Sequence, residues 1–235
     1  MRRAERERAA RRRRMLRWGG VVVVVVAIGI GIAVALGGGS GSNTSATQVH
    51  TDVASAQVTG PTGPEGIPLQ EGTLLAPQTT AATGQIVDGI HCNTSEQVAY
   101  HVHAHLTVYV NGELRPVPPG IGIVLPVATQ TANGPIYGAS SCYYWLHVHA
   151  QDGVIHIESP SVKHYTLGNF FDIWGQHLSS TQVGPETGTL TVFVDGRPYN
   201  GNPAAILLES HEDIQIDVGT PVVPPQKVDW SSTQL

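Results

Sequence analysis

Seven side chains in two short stretches have the types and spacing to hold a transition metal: His101, His103 and His105 in the first, and His147, His149, His156 and Glu158 in the second. Imidazole nitrogen and carboxylate oxygen suit a borderline ion such as zinc or copper(II). Spacing by two matters because successive side chains of a β-strand point to opposite faces, so alternate residues share one. Three histidines on one face repel one another when protonated, and holding them neutral around an ion removes that cost. The same residues also admit plainer readings: half-buried strand histidines with Glu158 as an ion-pair partner, or a pH-sensing patch.

Two alternating runs meet at Asp152-Gly153, a pair suited to the type I′ turn of a two-residue hairpin. Counting outward, His149 faces His156 and His147 faces Glu158, while Leu146, Val148, Ile155 and Ile157 project to the opposite, apolar face. Opposed Cβ atoms in such a pair lie roughly 4.5–5.5 Å apart, within reach of one ion. The histidine triplet sits in a longer alternating run, Val98–Val110, which turns at Asn111-Gly112 into a return strand ended by Pro118-Pro119. Gly120–Val127 reads as a short strand and Asn133–Cys142 as a loop. A Cys92–Cys142 disulfide would draw the approaches to both clusters together. His101 lies nine residues past its cysteine and His147 five past its own, so a shared site needs residues 92–97 to curl.

Further along, Thr166 is placed to cap a helix whose Leu167, Phe170, Phe171 and Trp174 form an apolar stripe ending at Gly175. Leu190–Val194 turns at Asp195-Gly196, and Ala205–Leu208 and Ile214–Val218 read as short strands around a polar turn. The expected class is α+β, mostly β. Residues 143–219, running hairpin, helix, strand, short strand, strand, look like a β-grasp (ubiquitin-like) unit preceded by an additional hairpin that carries the histidine triplet.

Charge is divided unevenly. Residues 1–17 hold nine Arg and two Glu (net +7), whereas the rest holds four Lys or Arg against sixteen Asp or Glu (net −12) and all eleven histidines. An acidic remainder argues against nucleic acid as a partner. Residues 18–36 are uncharged and apolar for about 18 residues, just enough for a bilayer core of roughly 30 Å. Arg-rich flanks stay cytoplasmic, so 18–36 is expected to be a single-pass signal anchor with the remaining chain outside the cell membrane. A cleaved signal peptide ending at Ala33-Val34-Ala35 is the alternative, and the apolar segment exceeds the usual 7–15-residue signal core. Residues 37–87, rich in Gly, Ser, Thr and Pro, read as a flexible tether; 88–219 as the histidine-rich domain; 220–235 as a loose tail. Two cysteines in an oxidising compartment suggest a disulfide rather than a Cys₂His₂ site, which the absence of C-x₂-C spacing also disfavours.

The stretches His101-Val-His-Ala-His105, Leu146-His-Val-His149, Gly153-Val-Ile-His-Ile-Glu-Ser-Pro160 and Thr166-Leu-Gly-Asn-Phe-Phe-Asp-Ile-Trp-Gly175 together resemble a group of uncharacterised, membrane-anchored extracytoplasmic proteins of bacteria and archaea. The resemblance spans roughly 88–219 and implies one compact domain and its location, with no mechanism attached. Three functions stand open: a membrane-tethered copper- or zinc-binding module; a metal-dependent hydrolase or lyase with a three-histidine site and an open position; and a structural or adhesive domain with incidental histidines. No serine nucleophile elbow, H-E-x-x-H or phosphate-binding Gly-rich loop is present, which leans against an enzyme.

Overall fold

The computed structural model describes residues 55–233 and residue 235. The Arg-rich segment 1–17, the anchor 18–36 and the first part of the tether, 37–54, lie outside the described residues. Among the described residues no helix is long and apolar enough to cross a membrane. The chain there is mostly β. Strands β1 (Ala56–Gln57), β2 (Cys92–Asn93), β3 (Tyr100–Val110) and β4 (Glu113–Leu114) come first; β5 (Ile123–Thr131) and β6 (Gly134–Tyr144) form a long hairpin, and β7 (Leu146–His147) and β8 (Val154–Ser159) follow. After helix α1 (Leu167–Trp174) come the short β9 (Leu178–Ser179), β10 (Gln182–Val183) and β11 (Glu186–Thr187), then β12 (Leu190–Val194), β13 (Arg197–Tyr199), β14 (Glu212–Val218) and β15 (Gln226–Lys227).

Local chemistry sets several of these boundaries. Asn111 (φ 52°) with Gly112 (φ 80°) and Asp195 (φ 51°) with Gly196 (φ 75°) take the left-handed conformations that a type I′ turn requires, closing β3–β4 and β12–β13. Thr166 caps α1 reciprocally: its hydroxyl accepts from the Asn169 backbone N–H, and the Asn169 side chain accepts from the Thr166 N–H. Gly175 ends the helix at φ 69°, a left-handed conformation that glycine adopts most readily. The expected stripe Leu167, Phe170, Phe171 and Trp174 is wholly buried.

The main sheet has seven strands in the order β13-β12-β14-β3-β8-β7, with β4 also on β3. β14 runs parallel to β3, and the other pairings are antiparallel. This corrects the expectation of a unit confined to 143–219 with the triplet strand in a hairpin beside it. β3 lies at the centre, between β14 and β8, and residues 111–153 form the long connection from β3 to β8. Ala104, Leu106, Val108 and Val110 form a continuous apolar row, and they bury in one core with Ile155, Ile157, Ile214, Ile216 and α1. Such a row is best covered in mid-sheet.

Two smaller expectations are also corrected. Residues 134–142, expected as part of a loop over Asn133–Cys142, belong to β6, which pairs with β5 from Thr131–Gly134 to Ile123–Tyr143. Many side chains of this hairpin face solvent, so its strands are held by ladder hydrogen bonds and carry no strict hydrophobic alternation. Residues 205–208 are not a strand: a 3₁₀ turn covers Pro203–Ala205, and Leu207 makes a single bridge to Thr166.

The sheet's second face is polar and nevertheless buried. Asp213, Gln215 and Asp217 on β14 lie beside His105, Thr107 and Tyr109 of β3. Buried polar groups need partners. Two extended segments supply them: Asp217 Oδ1 accepts from the Val223 N–H (2.7 Å), Gln215 accepts from Gln226 N–H (2.8 Å) and donates to Val223 O (3.0 Å), and Gln70 Nε2 donates to Leu106 O (2.9 Å). β1 and β15 pair in parallel, and Ile67, Val154 and Val228 form a small second core. The tether to residue 87 and the loose tail 220–235 are therefore corrected: from Ser55 onward the first is packed chain, and the second is a strap. Few apolar groups are needed because sheet side chains satisfy the straps' backbone.

Candidate metal centre

Strand β8 is the axis of the site. On one side the register pairs His101 with Glu158 and His103 with His156; on the other it pairs Leu146 with Ile157 and His147 with His156. Both histidine clusters therefore meet on one face of one sheet. The register expected from the Asp152-Gly153 turn is corrected by two residues, since His147 faces His156 rather than Glu158. A type I′ turn needs positive φ at both central residues, and here only Gly153 (φ 81°) has it. Residues 148–153 leave the ladder because other partners take their backbone: Val148 exchanges hydrogen bonds with Gly120 and Ile121, His149 O accepts from Tyr137, Gln151 O from Gln70, and Gly153 O from Leu106. A slip of two leaves every side chain on its expected face.

The imidazoles are oriented from behind. His147 Nδ1–H donates to Tyr144 O (2.8 Å) and His149 Nδ1–H to Tyr137 O (2.6 Å), which leaves both Nε2 lone pairs facing each other 3.0 Å apart. On β3, His101 Nε2 and His103 Nε2 are likewise 3.0 Å apart, and His103 Nε2 is 3.1 Å from His156 Nδ1. Glu158 Oε1 lies 3.0 Å from His101 Nε2, 3.3 Å from His156 Nδ1 and 4.0 Å from His147 Nε2. Two ligands bound at about 2.0–2.1 Å to one ion, at right or tetrahedral angles, stand roughly 2.9–3.4 Å apart. The pairs at 3.0–3.3 Å match that spacing, and the 4.0 Å separation of Glu158 from His147 exceeds it. The donors form two sets, each within 4.8 Å: His147, His149, His156 and Glu158, and His101, His103 and His156. All are buried except His101, whose side chain is 40 % exposed.

Burial and mutual proximity hold most of these rings neutral. Desolvation, reinforced by the neighbouring His156 and His101, lowers His103 to about 3. Desolvation drives His147 well below 6.5, with His149 and His156 adding to it, and lowers His149 in the same sense. His156 goes the other way: burial alone would lower it, but Glu158 and Glu65 on either side push it up to about 9. Burial would raise Glu65, and the His156 contact holds it below its ordinary value. Asp152, desolvated and close to the Glu65 charge, is raised well above the usual carboxylate range.

His105 shares the face but is not brought into either donor set. Its Nε2–H donates to Asp152 O (2.9 Å), and burial lowers it to about 4. Cys92 and Cys142 form a disulfide with Cα atoms 5.4 Å apart, next to the β2–β6 pairing that leads into β7. Sequence reasoning missed Glu65, whose Oε1 accepts from His156 Nε2–H at 2.8 Å, and Glu96, whose Oε1 lies 3.5 Å from His149 Nε2. One signal for Glu65 was present: it is the only charged residue between Val53 and Gln70.

No protein-family model, curated protein or solved structure matches this chain.

Proposed function

We propose that this protein is a membrane-tethered, extracytoplasmic binder of copper or zinc, with His101, His103, His147, His149, His156 and Glu158 as ligands. The observation that carries the reading is the locked pair on β7 and its following loop. With each Nδ1 proton committed to a backbone carbonyl, two Nε2 lone pairs converge at 3.0 Å, a contact that repels until a cation joins them. His156 is held in mirror form, with Nε2–H on Glu65 and Nδ1 turned toward His103, and it gives up its Nδ1 proton when an ion binds there. Imidazole-rich donors of this kind select zinc and copper over magnesium or calcium. The burial of nearly every ligand supports holding a metal over turning over a substrate, because catalytic sites keep an open coordination position.

The Arg-rich segment and apolar run before residue 37 support placing the domain outside the cell membrane. The strand order supports a β-grasp reading in which β3 and β8 are the first two strands, β12 and β13 the next two, and β14 the central last strand, parallel to the first.

The test is elemental analysis of the full chain, purified in mild detergent without a nickel column, beside a His147→Ala/His149→Ala/His156→Ala variant. Bound copper or zinc that disappears in the variant is the expected result. A wild-type protein that holds neither metal after incubation with both at near-neutral pH overturns the proposal.

A further inference from the structure

The donors outnumber what one ion takes. Five imidazole nitrogens and the Glu158 carboxylate converge on β8, whereas a zinc site is almost always four-coordinate. Opposed ligands on one ion with bonds of about 2.1 Å are separated by no more than about 4.2 Å. The donors divide instead into two sets that share only His156.

Each set is built on an H-x-H pincer with its Nε2 atoms 3.0 Å apart, one on β3 and one on β7 and the residues after it, on opposite sides of β8. His156 has one nitrogen for metal, because its Nε2 is taken by Glu65; the other, Nδ1, sits 3.1 Å from His103. The β3 pincer is therefore the one His156 completes. Glu158 reaches both: its Oε1 is 3.0 Å from His101 and 4.0 Å from His147. Its Oε2 is buried with no partner. A buried carboxylate oxygen left unpaired is costly, and a carboxylate has lone pairs enough for two cations. Charge is in place for them as well, with Glu65 behind His156 and Glu96 3.5 Å from His149 Nε2.

We infer that the site holds two first-row transition-metal ions, one on His101, His103 and His156 and one on His147 and His149, with Glu158 bridging them. This rests on the metal-binding reading above and deepens it. Bridged ions of this kind sit about 3.5–4 Å apart.

Titration of the metal-free full chain with zinc(II) or copper(II), followed by native mass spectrometry, reads the stoichiometry. Two ions per wild-type chain are expected, and one in each of His101→Gln/His103→Gln and His147→Gln/His149→Gln. Wild type saturating at one ion, or either variant losing all metal while still folded, overturns the two-ion site and leaves metal binding intact. Wild type that binds none overturns the earlier reading itself. Should either variant fail to fold, electron paramagnetic resonance of wild type loaded with two copper(II) decides. Spin coupling that Glu158→Gln abolishes supports the bridge, and two uncoupled copper signals in wild type overturn it.

Discussion

The β3 and β7 pincers reach the same nitrogen separation by different routes. His101 and His103 stand on an eleven-residue strand paired along its length with β8 and β14. Regular alternation places them, and the edge of their pair is open to solvent at His101. His147 is the last residue of a two-residue strand, and His149 lies beyond it, where the chain has left the ladder. Their rings are aimed by the Tyr144 and Tyr137 carbonyls, and the backbone between them is held by Gly120 and Ile121. Close packing adds to this: a Cβ on Gly122 would run into Leu146 O and the His147 side chain. A dyad spacing can thus be made by a ladder or by a scaffold of remote contacts. The second route leaves the site dependent on parts of the chain far from it.

Removing the disulfide with Cys92→Ala/Cys142→Ala should separate the two most strongly. A loop of 50 residues contributes about 4 kcal/mol on the chain-entropy model. Denaturant unfolding should show a loss of that order, and metal occupancy should fall at the β7 pincer before the β3 pincer. Equal loss at both would show that the scaffold is not local to β7.

On the β3 side, His105 makes metal-free stability depend on pH. Its folded value, about 4, lies below the ordinary 6.5, so the unfolded chain binds the extra proton. The stability it contributes is complete above pH 6.5 and is lost as pH falls toward 4, a change on the order of 3 kcal/mol. The raised His156 does not oppose this, because its contribution is already constant below 6.5. Urea unfolding of metal-free His105→Gln from neutral pH to about 4.5 should show a slope shallower by up to one proton; an unchanged slope would exclude His105 as a source.

Glu65→Gln tests the residue between the pincers. It keeps a hydrogen-bond partner for His156 and removes the charge, so metal affinity should drop about 10- to 100-fold, the usual effect of losing a supporting carboxylate. Isothermal titration should find this loss at the ion that His156 holds, and a uniform loss at both would assign Glu65 to the β7 side as well. The smallest effect belongs to His164, which forms an exposed pair with Glu209 at 3.2 Å. His164→Ala should change stability by less than about 0.5 kcal/mol and leave metal binding untouched, as thermal unfolding would show.

Much of this was legible in the residues. The face shared by His101, His103, His147, His149, His156 and Glu158 follows from a period of two, and even a misread turn left it intact, because a slip of two residues preserves faces. The Asn111-Gly112 and Asp195-Gly196 turns and the capped, apolar-striped α1 are equally local, set by φ preferences and side-chain hydrogen bonds within four residues. Other features were beyond local reasoning. The central position of β3 depends on its parallel pairing with β14, more than a hundred residues away. Glu65 and the C-terminal strap carry no periodic signal, since extended chain that satisfies its backbone on another strand's side chains can have almost any composition.

Sequence alone determined which side chains could be ligands and which way each strand would turn them, because covalent geometry fixes alternation residue by residue. That the two clusters lie on either side of one strand, that His105 turns away to Asp152, and that Glu65 stands behind His156 are properties of the assembled fold. Those outcomes depend on which distant segments find their hydrogen-bond partners in each other, and that is settled by the whole sheet at once.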